Sequence, residues 1–316
     1  MASAPQTRGR TAQAAHDGWA LGGSALSMVR GQPGLRRFAL AAFAGMLLVE
    51  LGHAALVLHY RHHGTIPQRL LVVLLTAYVF AVLANSVAVG LAGLSDRILA
   101  DQVPAASEGW RLAGRRLPQV AGWALIVVLV GVPARFLTGW GVDQLAAVLL
   151  GFGWAVVSFF AIPAIALMGD GPLRAAERSL RLVRRFWAGQ VAGMVYVWLR
   201  PALFIGLPGA AAVLVGVILD RGGHDFLGWT LALGGAIAIA IAYLIAVCAR
   251  SVLGVAIFRL AESGRVAPGF DPAALKRMMR GPTPVIERIA RRFDSERLRR
   301  LRARLPGHES ETDRTP

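Results

Sequence analysis

The chain has one cysteine in 316 residues, Cys248, so no intramolecular disulfide framework is available to it. Cys248 sits inside an apolar run and reads as a small buried hydrophobe. Lysine is nearly missing too: Lys276 stands alone beside 33 arginines. Charge as a whole is scarce. Charged types make up 16% of the chain, where soluble domains carry about 25%. Apolar types make up 55% and mean hydropathy is +0.54, which excludes an ordinary soluble domain.

Catalytic motifs are also absent. There is no His-Glu-x-x-His, no phosphate-binding P-loop, and no Gly-x-Gly-x-x-Gly following a strand. No apolar run contains a pair of carboxylates. The stretch "GGSALS" (22–27) precedes the first apolar run, and no run supplies a serine with a histidine partner for intramembrane proteolysis. No cofactor is implied, and the chain reads as non-enzymatic.

What is present is a series of long apolar runs with arginines between them. A net charge of +16 could suggest nucleic acid. Beside uncharged runs of twenty residues it points instead to a membrane with charged loops, and nucleic acid is set aside. A helix needs about 20 mostly apolar residues to cross a ~30 Å hydrocarbon core. Six runs qualify, at about 38–59, 70–94, 119–138, 144–168, 190–219 and 227–249. They are too long for strands and lack period-2 alternation. The expected fold is therefore all-α, a six-span membrane bundle with amphipathic surface helices. No signal peptide is expected, because the first apolar run follows a long polar lead without a small-residue cleavage site.

Arginine placement sets the orientation. With six spans, 1–37, 95–118, 169–189 and 250–316 share one side and hold 29 of the basic residues; Arg61, Arg69, Arg135 and Arg221 lie on the other. Positive residues favour the cytoplasm, so both termini are expected inside the cytoplasmic membrane. Trp140 and Trp229 fall at the outer boundary, and Trp110, Trp123 and Trp187 near the inner one.

The segment "GDGPLRAAERSLRLVRRFWAGQVAG" (169–193) interrupts the apolar pattern. Pro172 after Gly171 marks a helix start, with Asp170 as cap. Leu173, Ala176, Leu180, Leu182, Val183, Phe186 and Trp187 make an apolar face; Arg174, Arg178, Arg181, Arg184 and Arg185 fill much of the rest. Such a helix suits the headgroup plane, its arginines toward anionic lipid, with the chain re-entering the membrane near Gly189. The pattern recurs at 104–123, where "QVAG" again opens a span, and loosely before span 1. Three repeated units of about 70 residues would explain this; so would arginines placed independently in every inner loop.

A basic amphipathic helix is expected at 283–305. Arg288, Arg291, Arg292, Arg299 and Arg300 are among its lipid-surface candidates, and a protein partner docking there is the rival reading. Residues 1–17 and 306–316 are expected to be disordered, and 263–305 to form a cytoplasmic helical tail. His53, His59, His62 and His63 cluster near the outer end of span 1. The last three have the spacing to meet a metal, but no Cys, Asp or Glu completes a set, so no metal is assigned. Glu50 and Arg200 are the intramembrane polar pair to weigh. At about 1.5 Å per residue both reach mid-membrane if span 5 starts at Gln190. If span 5 starts at Pro201, Arg200 stays at the interface, ending a longer surface helix.

The order of these pieces resembles a family of bacterial six-span membrane proteins of unknown function. The likeness lies in "DGWALGGSALSMV", "EGWRLAGRRLPQVAGWAL", "VVSFFAIPAIALMGDGPLRAAERSLRLVRRFWAGQ" and "SVLGVAIFRLAESGRVAPGFDPAALKRM". More distantly, the plan is similar to the membrane region attached to some glycerophosphodiester phosphodiesterases; no phosphodiesterase domain accompanies it here, so that activity does not transfer. The expected role is a lipid-interacting or scaffold protein of the cytoplasmic membrane. A small-solute transporter or channel is the alternative, and an intramembrane enzyme the third.

Overall fold

The computed structural model describes residues 4–63, 65–139, 158–222 and 224–278, with side chains at 16–60, 65–130, 158–182, 196–222 and 224–275. All regular structure among the described residues is helical. In chain order the helices are α1 (Ala4–Gly31), α2 (Pro33–His63), α3 (Ile66–Ile98), α4 (Ala106–Arg115), α5 (Leu117–Gly139), α6 (Ser158–Met168), α7 (Pro172–Pro201), α8 (Leu207–Arg221), α9 (Asp225–Ser263) and α10 (Pro272–Met278). Four stretches are long and apolar enough to cross a membrane: Pro33–Tyr60, Ile66–Ile98, Tyr196–Arg221 and Asp225–Ser263. The pair α4–α5, bent by 73°, brings the number to five if it counts as one span. The fourth expected span (144–168) lies mostly outside the described residues, so the described chain holds four or five candidate spans.

Local chemistry explains the helix ends. Thr65 opens α3 with a capping box: Gln68 accepts from the Thr65 backbone N–H at 2.9 Å, and Pro67 occupies the first turn where its missing N–H costs nothing. Proline also breaks regularity inside the runs. The last turn of α6 (Ala164–Met168) follows Pro163 and the turn Ala202–Gly206 follows Pro201; both are π-helical, as expected where a ring removes an i→i−4 hydrogen bond. Gly169 ends α6 with φ 72°, a left-handed conformation that favours glycine, and a Cβ there would run into the Arg116 guanidinium. Gly264 ends α9 in the same left-handed region, φ 67°.

Three expectations are corrected. Helix α1 begins at Ala4, so most of the lead expected to be disordered over 1–17 is helical; its alanines and arginines are strong helix formers. The chain does not break at Gly189, where a new span was expected to open; α7 continues to Pro201, because a single glycine costs only about 1 kcal/mol in a helix and proline is the stronger break. Asp170 does not cap α7: the cap is Gly171 without a side-chain bond, and Asp170 pairs with Arg178. The repeated "QVAG" also has two backbone settings. It follows the sharp α4–α5 bend in one copy and lies within the unbroken α7 in the other.

Burial divides the molecule into two ends. The packed core gathers Leu21, Phe38, Leu91, Trp123, Phe160 and Phe258, all at most 2% exposed. These come from α1, the start of α2, the end of α3, the start of α5, α6 and the last third of α9. The opposite halves of α2, α3 and α9, with α8 and the π-helical turn before it, are apolar yet exposed, including Leu48, Leu71, Phe204, Leu214 and Trp229. Four helices presenting such surface far exceed the few hundred Å² of apolar patch a soluble monomer tolerates. The surface has the length and composition suited to a membrane protein's contact with lipid.

Two close contacts hold the frame. Helices α8 and α9 meet through glycines: Gly209 and Gly235 face each other backbone to backbone, and a Cβ on Gly216 would lie 2.6 Å from the Gly228 carbonyl. Small residues permit this approach, the usual device where lipid removes the hydrophobic drive for packing. Gly234, by contrast, faces open space. At the packed end Trp19 of α1 stacks on Tyr196 of α7, ring centroids 4.1 Å apart.

Candidate functional site

The packed end carries a layer of arginines bonded to carboxylates and carbonyls. Arg259 on α9 reaches the end of α3: its Nε donates to Asp96 at 2.6 Å, and its two Nη groups to the Leu99 and Asp96 carbonyls, each at 2.9 Å. It thereby closes the carbonyl end of α3, where a cation also meets the helix dipole favourably. Arg97 pairs with Glu108 at 2.9 Å, tying α3 to α4. Ser95 donates to Ser251 across α3 and α9 at 3.1 Å.

Arg178 on α7 lies between Asp170, 2.6 Å away, and Glu262 on α9, 3.0 Å away. The hydrogen bond to Asp170, then that to Glu262, raise the Arg178 pKa above its ordinary value. Arg178 was expected on the lipid surface; it points inward and is satisfied by protein. The apolar face of α7 also differs from the pattern read in sequence. Ala175, Ser179 and Leu182 are buried, whereas Leu173 is 78% exposed and Leu180 41%. Arg174 and Arg181 are exposed beside these leucines, and Arg181 makes only a loose pair with Glu177 at 3.8 Å. The outward strip of α7 is thus leucine and arginine together, the composition of an interfacial helix. The side chains of Arg184 and Arg185 lie outside the described residues, as do Arg288, Arg291, Arg292, Arg299 and Arg300.

Glu50 and Arg200 do not meet. Glu50 Oε1 lies 3.5 Å from His53 Nδ1, one turn along α2. Arg200 donates to the Tyr196 hydroxyl at 2.9 Å and lies over that ring, 6.0 Å from its centroid. Of the two alternatives weighed for Arg200, the continuous α7, which has Arg200 next to its last residue, is the one with a longer helix ending there. His59 is exposed and packs edge-on to Tyr60 at 5.3 Å; the side chains of His62 and His63 are not among those described. No group of three His, Cys, Asp or Glu able to hold a metal occurs among the described residues. Asn85 donates to the Ala81 carbonyl one turn back on α3 at 2.7 Å.

Between α2, α3, α6, α7 and α9 lies a cavity of about 480 Å³, within the usual range for small-molecule sites, roughly 300–1,000 Å³. Its walls are mainly apolar, with Met46, Leu91, Phe159, Ile162 and Val247 among them. The charged groups on the lining are Glu50 and Arg250. Arg250 packs over Phe159, 5.9 Å from the ring centroid, and has no hydrogen-bond or ion-pair partner among the described residues. Sequence reading passed over Arg250 because it merely ends the sixth apolar run; the signal was its position there, next to Ser251. Asp96 and Arg259 were likewise invisible as a pair, being 163 residues apart.

A family model described as DUF6159, a family of unknown function, matches residues 67–268, well over half of the chain. No curated protein matches it.

Proposed function

The chain belongs to that DUF6159 family, and since the family's function is unknown we propose a role from the chain's own geometry: a lipid-interacting scaffold of the cytoplasmic membrane. Six spans cross the bilayer, both termini are cytoplasmic, and the arginine-rich helices lie along the inner headgroup plane. The observation that carries the reading is the division of the molecule into a packed, arginine-bearing end and an unpacked apolar end. The outward strip of Leu173, Arg174, Leu180 and Arg181 on α7 supports lipid contact at the boundary. Arg184, Arg185 and the tail arginines extend the same charge. Each basic residue near an anionic surface adds roughly 1 kcal/mol, and within a Debye length of ~10 Å several act together.

A polar-solute transporter is the weaker reading because the cavity walls are largely hydrocarbon rather than hydrogen-bonding groups. An enzyme is weaker still, as the ionisable residues on the cavity, Glu50 and Arg250, are not paired as acid and base. The test is reconstitution into liposomes of mixed lipid. The protein should enrich anionic lipid in its annulus and produce no flux of small solutes. Solute-dependent flux, or a random annulus, would contradict the proposal.

A further inference from the structure

We propose that the cavity seats one acyl chain of an anionic phospholipid from the arginine-rich leaflet, with Arg250 holding its phosphate. The inference deepens the lipid-interacting reading and rests on it for the membrane setting.

Depth is the first support. Arg250 comes 25 residues after Asp225 on the unbroken α9, about 37 Å at about 1.5 Å per residue. That exceeds a ~30 Å hydrocarbon core, so the guanidinium lies at the headgroup boundary. The Ser95–Ser251 hydrogen bond fixes the same level on α3, one residue before the charged end at Asp96.

Shape is the second. Helix α2 lines the cavity from Ala39 to Glu50, eleven residues or about 17 Å of helix. This is roughly half of a ~30 Å core, the depth of one leaflet. A chain entering at Arg250 therefore runs along Val247, Ile162 and Met46 and ends near Glu50. Glu50 does not compete at the phosphate end. Phe38 packs on Gly90 at the packed end of the bundle, and Glu50 is more than three turns of α2 beyond Phe38. Its carboxylate is half exposed and beside His53.

Charge is the third. Of the arginines toward the packed end, Arg97, Arg178 and Arg259 each have a carboxylate and Arg200 has the Tyr196 hydroxyl; among the described residues Arg250 has an aromatic face and the cavity. A guanidinium presents a fork of donors that matches phosphate oxygens. A fork without a bonded partner among the described residues, at headgroup depth and opening on a leaflet-long apolar groove, matches a lipid phosphate joined to its chain.

The test uses full-length protein stripped of lipid in neutral detergent, titrated with phosphatidylglycerol or phosphatidylcholine of identical chains, and read by native mass spectrometry. One phosphatidylglycerol should be retained per protein, at roughly tenfold lower concentration than phosphatidylcholine. Arg250→Gln should erase that preference and Arg250→Lys should keep part of it. Ala88→Trp, which fills the cavity from α3, should reduce retention of both lipids. Inorganic phosphate should not displace the lipid. Equal binding of the two lipids, an unchanged preference in Arg250→Gln, or displacement by phosphate would each overturn the seat. So would a monodisperse wild type that retains no lipid, or retains it only as a dimer; the groove would then be closed by the protein's own chain or by a second copy. Failure of the membrane reading is distinguished by partition: a protein that stays in vesicles after high-salt washing yet shows no preference loses the seat alone.

Discussion

Arg178 and Arg181 offer a controlled comparison, because they lie three residues apart on one helix and carry the same charge. Replacing either by alanine removes the same long side chain from the same helix at similar helix propensity. Their surroundings differ. Arg178 is about one quarter exposed, with carboxylates at 2.6 and 3.0 Å, and the Asp170 it would leave behind is only 13% exposed. Hydrogen bonds involving charged groups contribute about 1.5–3 kcal/mol each, and breaking a fully buried pair costs about 3–5 kcal/mol. Partial exposure of Arg178 and Glu262 lowers this, so Arg178→Ala is expected to cost about 2–3 kcal/mol. Arg181 and Glu177 are 68% and 70% exposed at 3.8 Å, and such pairs contribute about 0–0.5 kcal/mol. Unfolding by SDS from mixed micelles, followed by tryptophan fluorescence, measures both. Adding Asp170→Asn to Arg178→Ala should recover part of the loss, since the stranded carboxylate is then neutral. For lipid binding the order should reverse, Arg181→Ala weakening enrichment of anionic lipid and Arg178→Ala leaving it unchanged in the folded fraction. Equal destabilisation by the two substitutions, or additivity of the Arg178 and Asp170 changes, would refute the reasoning.

Gly235→Leu is expected to force α8 from α9 and destabilise by about 1–3 kcal/mol, whereas Gly234→Leu, facing open space, should be neutral or slightly stabilising; equal effects in the same SDS titration would contradict the packing. Arg259→Gln removes the clamp on the end of α3 and should cost about 2–3 kcal/mol, with faster amide exchange at 95–102 as the local readout. The isolated peptide 283–305 should bind anionic vesicles and release at high salt, and equal binding to neutral vesicles would remove its electrostatic part.

Membrane character, helix throughout the described residues and four helices long and apolar enough to cross a membrane were legible in the sequence because each rests on local composition. Twenty uncharged residues announce a helix suited to lipid whatever its neighbours do. The inward turn of Arg178 was not legible, because a helical wheel assigns every arginine to the polar side and cannot see Glu262, 84 residues away. The sequence left open whether Arg200 pairs with Glu50 or ends a longer helix, because that turns on whether the helix breaks at Gly189 or runs on to Pro201. The cavity was hidden for a further reason. Its walls come from five helices, and apolar side chains read alike whether they line a void, fill a core or face lipid.

The most direct test of the membrane account is thiol accessibility in sealed vesicles, on a background where Cys248 is replaced by alanine. Single cysteines at Leu51, Leu75, Leu214 and Ile237 would occupy positions exposed on the bare protein, which a water-soluble maleimide would label readily if water covered them. The account expects all four to resist labelling until detergent is added, and cysteines at Arg181 and Arg265 to label from the cytoplasmic side alone. Ready labelling of the four apolar positions in intact vesicles would contradict it.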